Sequence, residues 1–156
     1  MVSSRRQRQF ARLTAVQALY QLEVNKQTPG AVVREFKEFR LELFSPGKEE
    51  KGLDEMLFSE IAANAGAEMV SLDGQIQGVL SGSWTVSRLD PTTRALLRAA
   101  CYEFEKKGSV SARVIIKEYV DISARFSGKD ETAFVNGALD TLARELRGDE
   151  MADPRG

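Results

Sequence analysis

Histidine is absent from this sequence, cysteine and tryptophan occur once each, and proline occurs four times in 156 residues. Without histidine the chain lacks the commonest general base and the commonest metal ligand, and the lone Cys101 cannot close an internal disulfide. No apolar run approaches the roughly 20 residues that span a bilayer. The opening MVSSRRQRQF lacks the apolar stretch of a secretory signal, so no membrane association and a cytoplasmic location are expected. GxxxxGKS/T and GxGxxG loops, CxxC pairs and GxSxG elbows are missing as well. Phosphate-cradling, zinc-binding and acyl-transfer chemistry therefore have no motif to rest on. An enzyme is therefore the weaker hypothesis, resting on carboxylate, lysine or hydroxyl catalysis alone, and no metal or cofactor is expected.

What is present is the material of a globular protein: 42% hydrophobic residues, 29% charged residues and a net charge of −1. The length suits one domain. Helical periodicity runs almost throughout. Phe10, Leu13, Val16, Tyr20 and Val24 draw one stripe over residues 5 to 25. A second stripe, Val32, Phe36, Phe39 and Leu43, runs up to a Ser45, Pro46, Gly47 turn, with Lys48 to Gly52 as a loop. A long pattern follows from Leu53 to Leu80, interrupted by Gly66, Gly74 and Gly78, with Gly82 ending it. Asp90 before Pro91 is a strong helix start for a segment carrying Leu97, Ala100, Cys101 and Phe104 inward. Ser109 or Ser111 is suited to cap a helix with Ile115, Tyr119, Ile122 and Phe126, and Asp130 to cap a last one with Val135, Leu139, Leu142 and Leu146. The expectation is a single all-α domain over residues 1–148 with six to seven helices in two three-helix groups, about 1–82 and 83–148. Residues 149–156 read as a flexible acidic tail.

Two places depart from an even distribution of chemistry. Arg5, Arg6, Arg8 and Arg12 all precede the first acidic residue, Glu23, giving a neutral chain a cationic end. Arginine's planar fork holds phosphate through paired hydrogen bonds; the bland alternative is a solvated helix start. Arg125 through Gly137 is a helix-loop-helix junction combining two rings, Lys129, Asp130, Asn136 and a glycine. Unpaired bases need flat faces for stacking and polar groups for their edges, although both phenylalanines also fit core positions of their helices.

These stretches resemble the NusB family of bacterial transcription antitermination factors in three places. ALY stands in AVQALYQLEV after an arginine-bearing helix start, WTVSRLDPTTRALLRAACYEF is similar to the family's tryptophan-to-tyrosine-glutamate block, and ARFSGKDETAFVNGALD is similar to its phenylalanine-valine-asparagine-glycine signature. The resemblance implies a NusB-like fold of two three-helix groups and a non-catalytic role. It implies pairing with NusE, a small ribosomal subunit protein, on boxA RNA in nascent ribosomal transcripts, within the RNA polymerase antitermination complex. RNA contacts implied by matching positions are Arg5, Arg6, Arg8, Arg12, Phe126, Lys129, Asp130, Phe134 and Asn136, with Tyr20 on the partner side. Thr93 stands where the family often carries an acid. The alternatives are an RNA-holding unit that assists an RNA methyltransferase and a purely structural helical module, and a homodimer is a further state to consider.

Overall fold

The structure is a computed structural model and describes residues 3–39 and 52–152. Among the described residues every regular element is helical, as expected of an all-α chain. The expected positions Leu43, Ser45, Pro46 and Gly47 lie outside them. The chain forms two compact units, Met1–Ala67 and Glu68–Gly156.

The first unit contains α1 (Arg5–Asn25), α2 (Pro29–Phe39) and α3 (Glu55–Ala67), each packed on the other two. Its core is built from Ala15, Val16, Leu19 and Leu22 of α1, Val32 and Phe36 of α2, and Phe58, Ile61 and Ala65 of α3. The Phe36 and Phe58 rings meet at a tilt with centroids 5.8 Å apart. The stripe read for α1 needs correction. Ala11 through Val16 are buried consecutively, and Leu19 and Leu22 follow them inward, while Tyr20 and Val24 stay exposed. The largest side chains drew the predicted stripe, whereas small alanines permit the close packing that fixes the buried face.

Gly66 shows how tight that packing is. A Cβ there would lie 3.0 Å from the Leu22 side chain and 3.2 Å from Pro29, so glycine lets the end of α1 and the start of α2 approach α3. Immediately afterwards Glu68, at φ −111° and ψ 26°, breaks the helix. The continuous pattern from Leu53 to Leu80 is thus two helices, and the division between the two compact units falls between Ala67 and Glu68. Apolar spacing persists across a one-residue kink, which is why periodicity alone joined them.

The second unit contains α4 (Met69–Val79), a 3-10 turn at Val86–Arg88, α5 (Pro91–Lys106), α6 (Ala112–Phe126), α7 (Lys129–Leu146) and α8 (Gly148–Ala152). Asp90 caps α5 by accepting from the Thr92 and Thr93 amides, and Ser111 caps α6 by accepting from Val114. Such caps are each worth about 1 kcal/mol. At α7 the expectation fails: the cap is Gly128, without a side-chain acceptor, and Asp130 already lies inside the first turn, where its charge suits the positive end of the helix. α5 packs on α4, α6 and α7. Arg98 grips Asp73 of α4 through two bonds of 2.7 and 2.8 Å, and the buried Tyr119 hydroxyl of α6 donates to Glu103 at 2.6 Å. Cys101 is fully enclosed on α5; burial, with the charges of Glu105 and Asp73, pushes its thiol up to about 12, so it stays protonated and inert.

The segment read as a tail begins as a helix. Met151 of α8 is buried, and Glu150 accepts from the Ala112 amide at the start of α6. Order here comes from tertiary contact, which acidic composition does not encode.

Candidate nucleic-acid interface

In the first unit the arginines sit at the start of α1, where a capping box closes the helix end. The Ser4 hydroxyl accepts from the Gln7 amide at 3.1 Å, and the Gln7 side chain accepts from the Ser4 amide at 2.8 Å. No acidic residue occupies the first turn, so the helix dipole and the arginine charges add to a positive end that favours an anion.

The four arginines do not form one cationic face. Arg5 and Arg6 are exposed. Arg8 is half-buried, donating to the Ser3 carbonyl, with the Asp54 carboxylate close enough for attraction. Arg12 is 3% exposed, so it does not stand on the surface with Arg5 and Arg6. One helical turn separates Arg8 from Arg12, and both lie on the side of α1 that carries Leu19 inward.

Asp54, unforeseen from the sequence, organises this end. Its carboxylate caps α3 by accepting from Leu57 at 3.0 Å and takes the Ser3 hydroxyl at 2.7 Å, while its amide donates to the Gln7 carbonyl. Burial pushes the Asp54 carboxyl up, but the amides of Leu57 and Met56, the Ser3 hydroxyl and the Arg8 charge together hold it below its ordinary value. Its cap position three residues before Leu57 was a legible signal. On the same helix as the arginines, Tyr20 is 40% exposed, with Val24 one turn beyond on the same side.

In the second unit the junction splits into two groups. Phe126, at the last turn of α6, is 46% exposed, so it is no core residue. Lys129 and Asp130, in the first turn of α7, are exposed. Phe134 is half-buried and meets the ring of Trp84 at a centroid distance of 6.1 Å. Asn136 faces elsewhere: it lines a shallow groove with Arg113, Lys117, Asp121 and Asp140 between α6 and α7. Two residues along a helix is a turn of about 200°, so Phe134 and Asn136 flank the buried stripe from opposite sides.

Thr93, where an acid was the expected residue type, is buried and donates to Glu131 of α7 at 2.5 Å. The carboxylate at this contact comes from α7 instead of α5. A glutamate at position 93 would oppose Glu131 at close range.

Residues 9–144 match the NusB family. The chain belongs to that family. A transcription antitermination protein NusB of Caulobacter vibrioides is 40% identical over 140 residues, covering 90% of this chain and 94% of that protein. The corresponding NusB of Brucella ovis is 41% identical over 149 residues, covering 95% and 87%. A solved structure of NusB from T. maritima superposes with a TM-score of 0.73 at 25% identity, over 97% of this chain and 99% of that one. The NusB fold accounts for the all-helical architecture. Among the described residues no helix is long and apolar enough to cross a membrane, and no cluster of acidic or cysteine side chains is arranged to hold a metal.

Proposed function

We propose that this NusB-family chain is a non-catalytic RNA-binding factor that pairs with NusE on single-stranded boxA RNA of nascent ribosomal transcripts. Acting in the cytoplasm within the RNA polymerase antitermination complex, it supports processive transcription. The observation that carries this reading is the family match over residues 9–144 together with relatives named as antitermination proteins. The geometry adds support in a specific division of labour. Arg5 and Arg6 supply exposed, permanently charged forks for phosphates. Phe126 offers an open ring, Lys129 a cation, and Asp130 a carboxylate that repels phosphate but accepts from base N–H groups. Exposed Tyr20 suits a protein partner, since its ring combines apolar area with a polar tip.

The test is RNA binding by the whole chain, with and without NusE, at two salt concentrations. Affinity for a boxA-type strand should rise when NusE is present and fall as salt increases. Binding that is indifferent to both would overturn the proposal. Co-purification with an RNA methyltransferase in place of NusE would select the assisting role, and a dimer that excludes RNA would select self-association.

A further inference from the structure

Trp84 is the single tryptophan of the chain, and it stands 48% exposed on a segment that is otherwise firmly held. The Gln77 side chain donates to the Trp84 carbonyl at 3.1 Å and accepts from the Val86 amide at 3.0 Å. Arg94 donates to the carbonyls of Val86 and Leu89 at 3.1 and 2.8 Å, and Val86 and Leu89 are themselves buried. Ahead of the ring, Gly82 at φ +66° makes a turn that only glycine adopts without strain. The backbone on both sides of the indole is therefore fixed while the ring is left in water. A large apolar ring half in solvent forgoes a substantial part of the stabilisation its burial would give, and a rigid backbone beneath it is what a ligand-stacking position requires.

The surroundings select the kind of ligand. The Arg88 guanidinium lies 5.7 Å from the centroid of the indole and donates to the Ser83 carbonyl at 3.0 Å. Among the described residues no carboxylate neutralises it. Phe134 meets the ring from α7, and Asp130 precedes Phe134 by one turn of that helix. The near neighbours in sequence, Ser83, Thr85 and Ser87, are hydroxyl residues, and the one aliphatic side chain among them, Val86, is buried. A protein-docking hot spot is centred on a wider apolar patch. Two rings, an unneutralised planar cation and a rim of hydroxyls match an unpaired nucleotide, whose base is flat and whose backbone is anionic.

We propose that Trp84, backed by Phe134 and flanked by Arg88, is a stacking seat for an unpaired base of single-stranded RNA. This rests on the RNA-binding reading above and adds two residues to it, with Trp84 contacting the base and Arg88 the adjoining phosphate. Because the indole is unique, it reports on itself. Titrating the full chain with a short unstructured RNA, followed both by intrinsic fluorescence and by retention of radiolabelled strand, should quench the Trp84 emission in step with binding. Trp84→Ala should weaken binding by about ten- to a hundredfold, Trp84→Phe should retain most of it, and Arg88→Ala should weaken it with a shallower salt dependence. Circular dichroism melts establish that each variant is folded. RNA that is retained while the fluorescence stays constant, or a folded Trp84→Ala that binds normally, overturns the stacking seat and leaves the wider reading intact. Absence of any retained RNA overturns both. Quenching by NusE alone, with none by RNA, would make this surface a protein contact and also overturn it.

Discussion

At the scale of single residues, the backbone of Lys26 offers the clearest opportunity. It ends α1 in the left-handed region at φ 55° and ψ 44°, where its amide bonds back to Glu23 and Leu22. A side chain there costs about 1 kcal/mol relative to glycine. Lys26→Gly should therefore raise stability by about 0.5 to 1 kcal/mol, seen as a melting temperature higher by a few degrees; a lower melting temperature would show that the lysine side chain contributes more than the strain removes. Other residue roles were unevenly legible. The Ser4 and Gln7 box is an S-x-x-Q pattern legible in the sequence. The charge of Arg12 was visible too. Its burial was not, because facing inward on α1 depends on which side α2 and α3 occupy. Phe126 and Phe134 illustrate the reverse: helical spacing marked both for the core, and the open end of α6 leaves the first in solvent.

At the scale of elements, Arg147 holds the second unit's helix ends together. Its guanidinium donates to the carbonyls of Phe104, Val110, Glu103 and Lys107 at 2.7, 3.0, 3.2 and 2.9 Å and to Glu150 at 2.9 Å. The last carbonyls of a helix lack partners within it, so one side chain from the end of α7 satisfies the end of α5. Glu150 meanwhile accepts from the start of α6. Arg147→Ala should cost about 3 kcal/mol, since several carbonyls lose a charged donor at once, and Arg147→Lys should recover little because an ammonium cannot span the same acceptors; thermal melts measure both. The Ala112 amide is the main influence holding the Glu150 carboxyl below its ordinary value, aided by the charges of Arg147 and Arg113 against a smaller opposing effect of burial. A depressed carboxylate contributes stability that is fully present above its unfolded value near 4.5 and is lost as pH falls through the folded value. The acid-induced drop in melting temperature should thus be smaller in Glu150→Gln than in the parent chain. None of this clamp was readable beforehand, for Arg147 and Glu150 sit in a polar stretch whose order is imposed by α5 and α6. The starts of α5 and α6 were readable because Asp90, Pro91 and Ser111 act on their own neighbours.

At the scale of the whole molecule, a net charge of −1 supplies no general attraction for RNA, so affinity must come from local groups of exposed cations. The sequence offers four arginines near the start. If all four met phosphates, each would steepen the dependence of log affinity on log salt by about 0.7, giving about 2.8 from that end of the chain. The fold leaves Arg5 and Arg6 exposed, half-buries Arg8 beside Asp54, and encloses Arg12. Replacing Arg5 and Arg6 together by alanine should therefore lower the slope by about 1.4, the full contribution of two single-strand contacts. Arg12→Ala should lower the melting temperature while leaving the slope of the folded protein unchanged, because a buried guanidinium serves packing rather than phosphate. Phe134→Ala should weaken binding by a similar factor at every salt concentration, since stacking displaces no counterions. A slope that falls with Arg12→Ala in a folded protein would mean that RNA binding draws the arginine out of the first unit. The cationic end would then be assembled by the ligand instead of standing ready for it.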